Sequence, residues 1–231
     1  MKKKYSKRFK KLLEITEEKK TLLIEDVISK VKKNCTTKFD ESIDVSFLLN
    51  LKQKKEKFNL RTIVNLPNGN GKKVKVAVLC EESKVSEAKE AGAELYDSEN
   101  LINDITSGKI KFDTLVATPV MMKKMSKLGK VLGPKGLMPN PKLGTVTNDI
   151  KSTVKALKSG QIEIKNDEDG NLGASIGKKS FTDNKIKENF DSLLQAISKE
   201  KPNGIKGNFI QSAFLTSTMG VSYKLKLANK L

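Results

Sequence analysis

Histidine and tryptophan are absent from this 231-residue chain, and cysteine occurs only at Cys35 and Cys80. Without histidine there is no Ser-His-Asp or Cys-His nucleophile and no His-ligated zinc. The commonest general base is missing as well. The two cysteines lack metal-ligand spacing and read as reduced thiols of a cytoplasmic protein, with no metal and no cofactor expected. Long apolar runs are also missing: the longest, VAVLC at 76–80, is five residues, too short to span a bilayer. The basic N-terminus, MKKKYSKRFKKLL, is not followed by the apolar core of a signal peptide. Arginine is nearly missing too, at Arg8 and Arg61 alone.

What the chain has instead is lysine. Lys and Arg total 45 against 27 acids, a net charge of +18, which calls for a polyanionic partner such as nucleic acid or an anionic membrane. A lysine is a hydrated point charge, suited to backbone phosphates more than to base edges. A lysine bias also arises in AT-rich genomes, so the choice over arginine carries little information. Hydrophobic residues make up 37%, patterned well enough for a folded core, and the length allows one large domain or two small ones.

The pattern changes character twice. Met1 to Lys11 holds seven basic residues and no acid, either a solvated helix start or an arm along phosphates. Two amphipathic helices follow, the second with Leu23, Val27, Ile28 and Val31 at helical spacing and Thr21 as its N-cap. SIDVSFLLNL then alternates, with Ile43, Val45, Phe47, Leu49 and Leu51 on one face of a half-buried strand, and RTIVNL can pair with it. After PNGNGKK comes VKVAVLC, a nearly continuous apolar run expected of a parallel strand covered on both faces. Helix and strand alternate from there to about Leu157, the signature of a small doubly wound α/β unit. Beyond LKSG the half-exposed strands return: QIEIKN, NLGASIG, GNFIQSAFLTS and VSYKLKLA, with a helix at about 183–199 among them. The simplest organisation inserts a middle domain, 68–160, into an outer one made of 1–67 and 161–231, joined by two hinge strands. The middle carries a net +6 and the outer domain +12, so the outer domain is the better candidate for the main anionic contact.

Two glycine-rich stretches invite a nucleotide-binding reading, and both fail it. GASIGKKS has three residues between Gly173 and Gly177 where a P-loop needs four, and Lys179 intrudes before Ser180. Ser180 reads better as a cap for the next helix. LGKVLGPKGLMPNPKLGTV, Leu128 to Val146, has no Ser or Thr after GPKG and no dinucleotide fingerprint, and it follows a helix rather than a strand. Pro134, Pro139 and Pro141 stiffen it, while Gly133 and Gly136 permit positive φ.

The same loop closely resembles the signature of the large-subunit ribosomal protein of the mobile side stalk, the bacterial type of the universal ribosomal stalk-one family. KFDESIDVSFLL, LPNGNGKKVKVAV, KSGQIEIKND and KGNFIQSAFLTSTMGVS resemble further blocks of that family, in family order, over roughly Lys7 to Leu227. The resemblance implies an α/β protein of two domains: an α+β outer domain with a split β-α-β sheet and an inserted Rossmann-like domain, joined by a two-strand hinge. It also implies binding to the side-stalk rRNA of the large subunit as a monomer within the ribosome, assistance to the release of exit-site tRNA, and repression of translation of its own operon mRNA. No catalysis, cofactor or membrane is implied.

Carried over position by position, the family's RNA surface falls on Lys38, Phe39, Ser42 and Asp44, then Ser212, Thr218, Met219 and Gly220. Hydroxyls suit 2′-OH and phosphate oxygens, and Met219 and Phe39 offer apolar surface to a ribose or base. Without the resemblance Phe39 reads equally as core, and the turn residues as mere turn formers. Lys135 and Lys142 are candidates for a secondary RNA contact. Departures from the family pattern are Asn68 in place of His, Val221 in place of Pro, Gln161 in place of Arg, and Thr62 after Arg61 in place of Gly. The lost proline is expected to loosen the turn. The rival classes are a nucleotide-dependent enzyme using the middle domain and a basic membrane-surface protein. The failed fingerprints disfavour the first; the lack of anchoring aromatics disfavours the second.

Overall fold

The computed structural model describes residues 5–15, 21–50, 59–97, 99–107, 111–125, 128–202 and 207–227. Residues 1–4 of the basic N-terminal stretch and Leu51 lie outside the described residues. The chain divides into two compact units, Met1–Gly71 with Glu163–Leu231, and Lys72–Ile162. The divisions fall a few residues beyond Pro67 and Gly160, where the sequence pattern changes.

In the discontinuous unit, α1 (Lys7–Ile15) and α2 (Ile24–Lys33) precede β1 (Ser42–Leu49) and β2 (Arg61–Asn65). The chain leaves through β3 (Val76–Leu79), α3 (Val85–Glu90), β4 (Leu95–Asp97), α4 (Glu99–Thr106), β5 (Thr114–Ala117), α5 (Pro119–Met125), α6 (Gly129–Leu132) and α7 (Ile150–Ser159) of the second unit. It returns through β6 (Gln161–Lys165), β7 (Asn171–Lys178), α8 (Asp183–Lys199), β8 (Ile210–Ser217) and β9 (Tyr223–Lys224).

Strands β7-β1-β8-β9 form an antiparallel sheet, with β1 between β7 and β8. Because β1 runs against both neighbours, β7 and β8 are parallel and α8 is their crossover, which is the split β-α-β arrangement. The alternation in β1 is realised: Ile43, Val45, Phe47 and Leu49 are buried. They face a core shared with Val27, Ile28 and Val31 of α2 and Ile186, Phe190, Leu193 and Ile197 of α8. The rings of Phe47 and Phe190 stack with centroids 6.0 Å apart. Asn189 is the polar exception on α8. Its amide donates to Gly69 O at 2.8 Å and Ile176 O at 2.7 Å, and its oxygen accepts from Asn68 N at 3.1 Å. It thereby ties the strand exit at 68–69 to β7. Strands β2 and β6 pair as a separate two-stranded sheet, bridged by Arg61–Glu163 at 2.6 Å.

The second unit is doubly wound. Its parallel sheet has the order β4-β3-β5. Val76 and Val78 of β3 face α3 and α7, while Ala77 and Leu79 face α4, α5 and α6. That two-sided burial explains the unbroken apolar run. Helix α7 starts under an Asp149 cap on Ser152 N (3.2 Å) and stops at Gly160, whose φ of 113° lies outside the helical region. Two other expected caps are not found. The residue before α2 is Leu23 rather than Thr21, and Thr182 rather than Ser180 precedes α8. Ser180 instead donates to Asp40 Oδ2 at 2.8 Å.

Candidate nucleic-acid interface

The inward register of β1 does not stop at Ile43. One step further it reaches Glu41, which is fully buried. On β8 the register of Ala213 and Leu215 likewise ends at the buried Ser217. Two polar residues thus close the core at one end of the sheet and must find partners there. Glu41 accepts from the Thr37 hydroxyl at 2.7 Å, from Thr37 N at 3.4 Å, from Met219 N at 3.1 Å and from the Ser217 hydroxyl. Burial pushes the Glu41 carboxyl up. The hydrogen bonds from Ser217, Thr37 and Met219 outweigh it and hold the group below the usual carboxylate range.

This buried carboxylate fixes the turn Thr218-Met219-Gly220 from beneath. Arg8 braces it from the side, donating to Met219 O at 2.8 Å and to Thr36 Oγ1 at 3.1 Å. The Thr218 hydroxyl accepts from Ser42 N at 3.0 Å and lies 3.3 Å from Ser42 O, to which it donates. One acceptor lone pair therefore remains for an external donor. At Gly220 the φ is not positive, and the glycine has a steric cause: a Cβ there would collide with Ser217 Oγ. Gly220 N closes the turn on Ser217 O at 3.1 Å, and Val221, standing where a proline was expected by resemblance, is buried behind it. The turn is restrained without that proline.

Above this frame the apolar tips are exposed. Phe39 is 53% exposed and Met219 45%, which removes the core reading of Phe39. Lys38 is exposed beside Phe39 on the same loop. Ser42 begins β1 at this end, and Asp44 follows one rung in, opposite Thr216 on β8 and Ser175 on β7. The lysine nearest Asp44 in the ladder is Lys178, opposite Ser42. Lys38, Phe39, Ser42, Asp44, Thr218, Met219 and Gly220 therefore belong to one end of the sheet. Ser212 does not: it pairs with Leu48, six residues along β1, about 20 Å away at the usual strand rise. It lies on the same outward face, whose side chains include Ser42, Asp44, Ser46, Thr216 and Phe214.

Glu41, Ser217 and Arg8 were not singled out from the sequence. The first two were accessible to it, since each continues an inward alternation, and a polar residue in an inward register must be satisfied internally. Arg8 carries no comparable signal, because its partners lie 28 and 211 residues away.

In the second unit, Lys135 and Lys142 are exposed on the 128–146 loop. Asn140 organises the loop: its side chain accepts from Lys142 N at 2.9 Å, and its backbone N–H donates to the buried Thr145 at 2.8 Å. Gly136 takes the expected positive φ of 68°, whereas Gly133 is helical, and a Cβ there would lie 2.6 Å from Gly129 O. Among the described residues no cluster of metal-ligating side chains occurs, and no helix is long and apolar enough to cross a membrane.

Residues 31–221 match the ribosomal protein L1p/L10e family. The chain is 58% identical over 227 residues to the large ribosomal subunit protein uL1 of Pelagibacter ubique (strain HTCC1062), covering 98% of this chain and 99% of that protein. It is 42% identical over 225 residues to the protein of the same name from Fervidobacterium nodosum, covering 97% and 96%. A third relative with that name, from Rickettsia akari, is 43% identical over 204 residues, or 88% of this chain and 85% of that protein.

Proposed function

The chain belongs to the ribosomal protein L1p/L10e family, and from that premise we propose that it binds the side-stalk rRNA of the large subunit through the Thr218-Met219-Gly220 turn. Membership makes it a ribosomal protein of the large subunit rather than an enzyme, working in the cytoplasm where ribosomes are. The observation that carries the RNA reading is the exposure of Met219 and Phe39 above a rigid, fully bonded base. Apolar groups held out to solvent on a pinned turn have little entropy left to lose on binding. Lys38 adds charge for a phosphate, Thr218 keeps one acceptor lone pair for a 2′-OH, and Asp44 can accept from another.

The discontinuous unit is the RNA-binding domain in this reading, and its net charge of +12 supports it. Lys135 and Lys142 make a secondary contact from the inserted domain. The same surface serves the chain's own operon mRNA, whose translation it represses, and the chain seated on the side stalk assists the release of exit-site tRNA beside it. Titration of the full chain with a side-stalk rRNA fragment at several salt concentrations tests the first step. Log affinity falls steeply with log salt, as counterion release requires, and an unrelated duplex of equal length binds far more weakly. A flat salt response, or equal affinity for any duplex, sinks the reading.

A further inference from the structure

The charge of the inserted unit is unevenly spread along its sequence. Its middle stretch, residues 105–148, carries eight lysines and a single acid, a net of +7. The remainder, 72–104 with 149–162, carries eight lysines and nine acids, a net of −1. The whole basic excess of this unit is therefore concentrated in one stretch.

Each half has a pocket, and the two differ in kind. On the acidic side a cleft of about 340 Å³ presents Glu94, Asp97 and Asp104 beside Tyr96 and Leu101. On the basic side an open pocket of about 260 Å³ has Ile105 and Leu132 as buried floor, with Leu137 and the half-buried ring of Phe112 as walls. The exposed Lys111 and Lys135 also line it, from opposite sides in sequence. Its volume lies just under the roughly 300–1,000 Å³ of pockets that engulf a drug-sized ligand. One ring system fits; a dinucleotide cofactor does not. Among the described residues no hydroxyl, amide or carboxylate side chain lines it, so none of them is set to read the edge of that ring.

We propose that this pocket takes one unpaired nucleobase of an RNA strand, stacked on Phe112, with the flanking phosphates on Lys111 and Lys135. An apolar pocket lined also by two lysines matches the chemistry of a single-stranded nucleotide, an apolar base flanked by anionic phosphates. Absence of edge-reading side chains makes the contact tolerant of base identity. The proposal rests on the reading that the partner is RNA, and it adds a second class of contact, to an unpaired base, independent of the turn at Thr218-Met219-Gly220.

The chain has no tryptophan, so Phe112→Trp places a single reporter in the pocket. Titration with single-stranded RNA octamers is expected to quench its fluorescence to saturation, with oligouridylate and oligoadenylate acting alike and an octamer duplex acting far more weakly. Lys111→Gln together with Lys135→Gln lowers the slope of log affinity against log salt by about 1.4, roughly 0.7 per lysine on a single strand. Phe112→Ala weakens octamer binding roughly 5- to 150-fold, the range of a lost stacked base. In the unaltered chain, ultraviolet crosslinking of a 4-thiouridine octamer places adducts on the peptide that contains Phe112, which guards against a misfolded tryptophan variant. Absence of quenching together with crosslinks only elsewhere overturns the proposal, and so does quenching by decanoate at lower concentration than by RNA. Side-stalk fragment binding by the same proteins separates the two readings. If that binding depends on Met219 while the octamer fails, only the pocket falls. If it ignores Met219 while the octamer quenches, only the placement of the main site falls.

Discussion

The two units solve the same problem, covering a sheet, in opposite ways. In the inserted unit helices lie on both faces of β4-β3-β5, so the sheet itself is unavailable and any contact must come from loops and the pockets between them. In the discontinuous unit α2 and α8 pack against the inward side chains, and the other face keeps Ser42, Asp44, Ser46 and Thr216 partly or fully exposed. A strand end there can offer backbone, hydroxyl and apolar tips together. The difference teaches that the more charged unit is also the one whose architecture leaves a broad surface to use. Charge draws a polyanion in; geometry holds it.

The comparison breaks most readily at Glu41. Glu41→Gln removes the charged acceptor of the Ser217 and Thr37 hydroxyls and of Met219 N–H, which costs about 2–3 kcal/mol of folding stability in urea unfolding. RNA affinity falls with it as the turn loosens. A loss below about 0.5 kcal/mol shows that the frame is not held from beneath. The same group sets a pH dependence. Its folded-state carboxyl is held below the unfolded value, so its contribution is full above the ordinary carboxylate range and is lost as pH falls through the folded value. Urea midpoints measured from pH 6 down to pH 3 fall in the unaltered chain and fall less steeply in Glu41→Gln, the remainder coming from other carboxylates held low, such as Glu94 and Asp113.

Next in size are Phe39→Ala and Met219→Ala, each costing about 1–3 kcal/mol of rRNA-fragment binding with stability within about 0.5 kcal/mol. Both side chains are about half exposed, so folding does not need them. Stability losses matching the binding losses would turn them into structural residues. Gly220→Ala is expected to lose about 1–3 kcal/mol of stability through its clash with Ser217, and affinity with it. The smallest effect sharpens the contrast from the other side: Lys135→Gln or Lys142→Gln costs under about 1 kcal/mol and lowers the salt slope by about one. If either costs more than Met219→Ala, the inserted unit carries the main contact.

Much of this was legible beforehand. Alternation in 42–49 identifies a strand with one buried face, and the nearly continuous run at 74–80 identifies one with two, because side-chain period follows directly from which faces meet water. The site residues came through resemblance, not through pattern, since Thr, Met and Gly in a turn carry no periodic signal. The helix caps were misplaced because Ser, Thr and Asp near a helix start compete for several roles, and Ser180 is taken by Asp40 from the other half of the unit. Ser212 was grouped with the turn residues, and strand register separates it from them.

The sequence by itself determined the two classes of sheet, the lysine charge and the failure of the nucleotide fingerprints. All of these depend on residue type and local spacing. Tertiary structure alone decided that Arg8, Thr37, Glu41 and Ser217 meet around one turn, and that Phe112 and Lys135 line one pocket. Arg8, the loop at 37–41 and the turn after Ser217 are far apart in the chain. Only β-strand register and helix packing, set by burying the apolar faces, bring them within bonding distance.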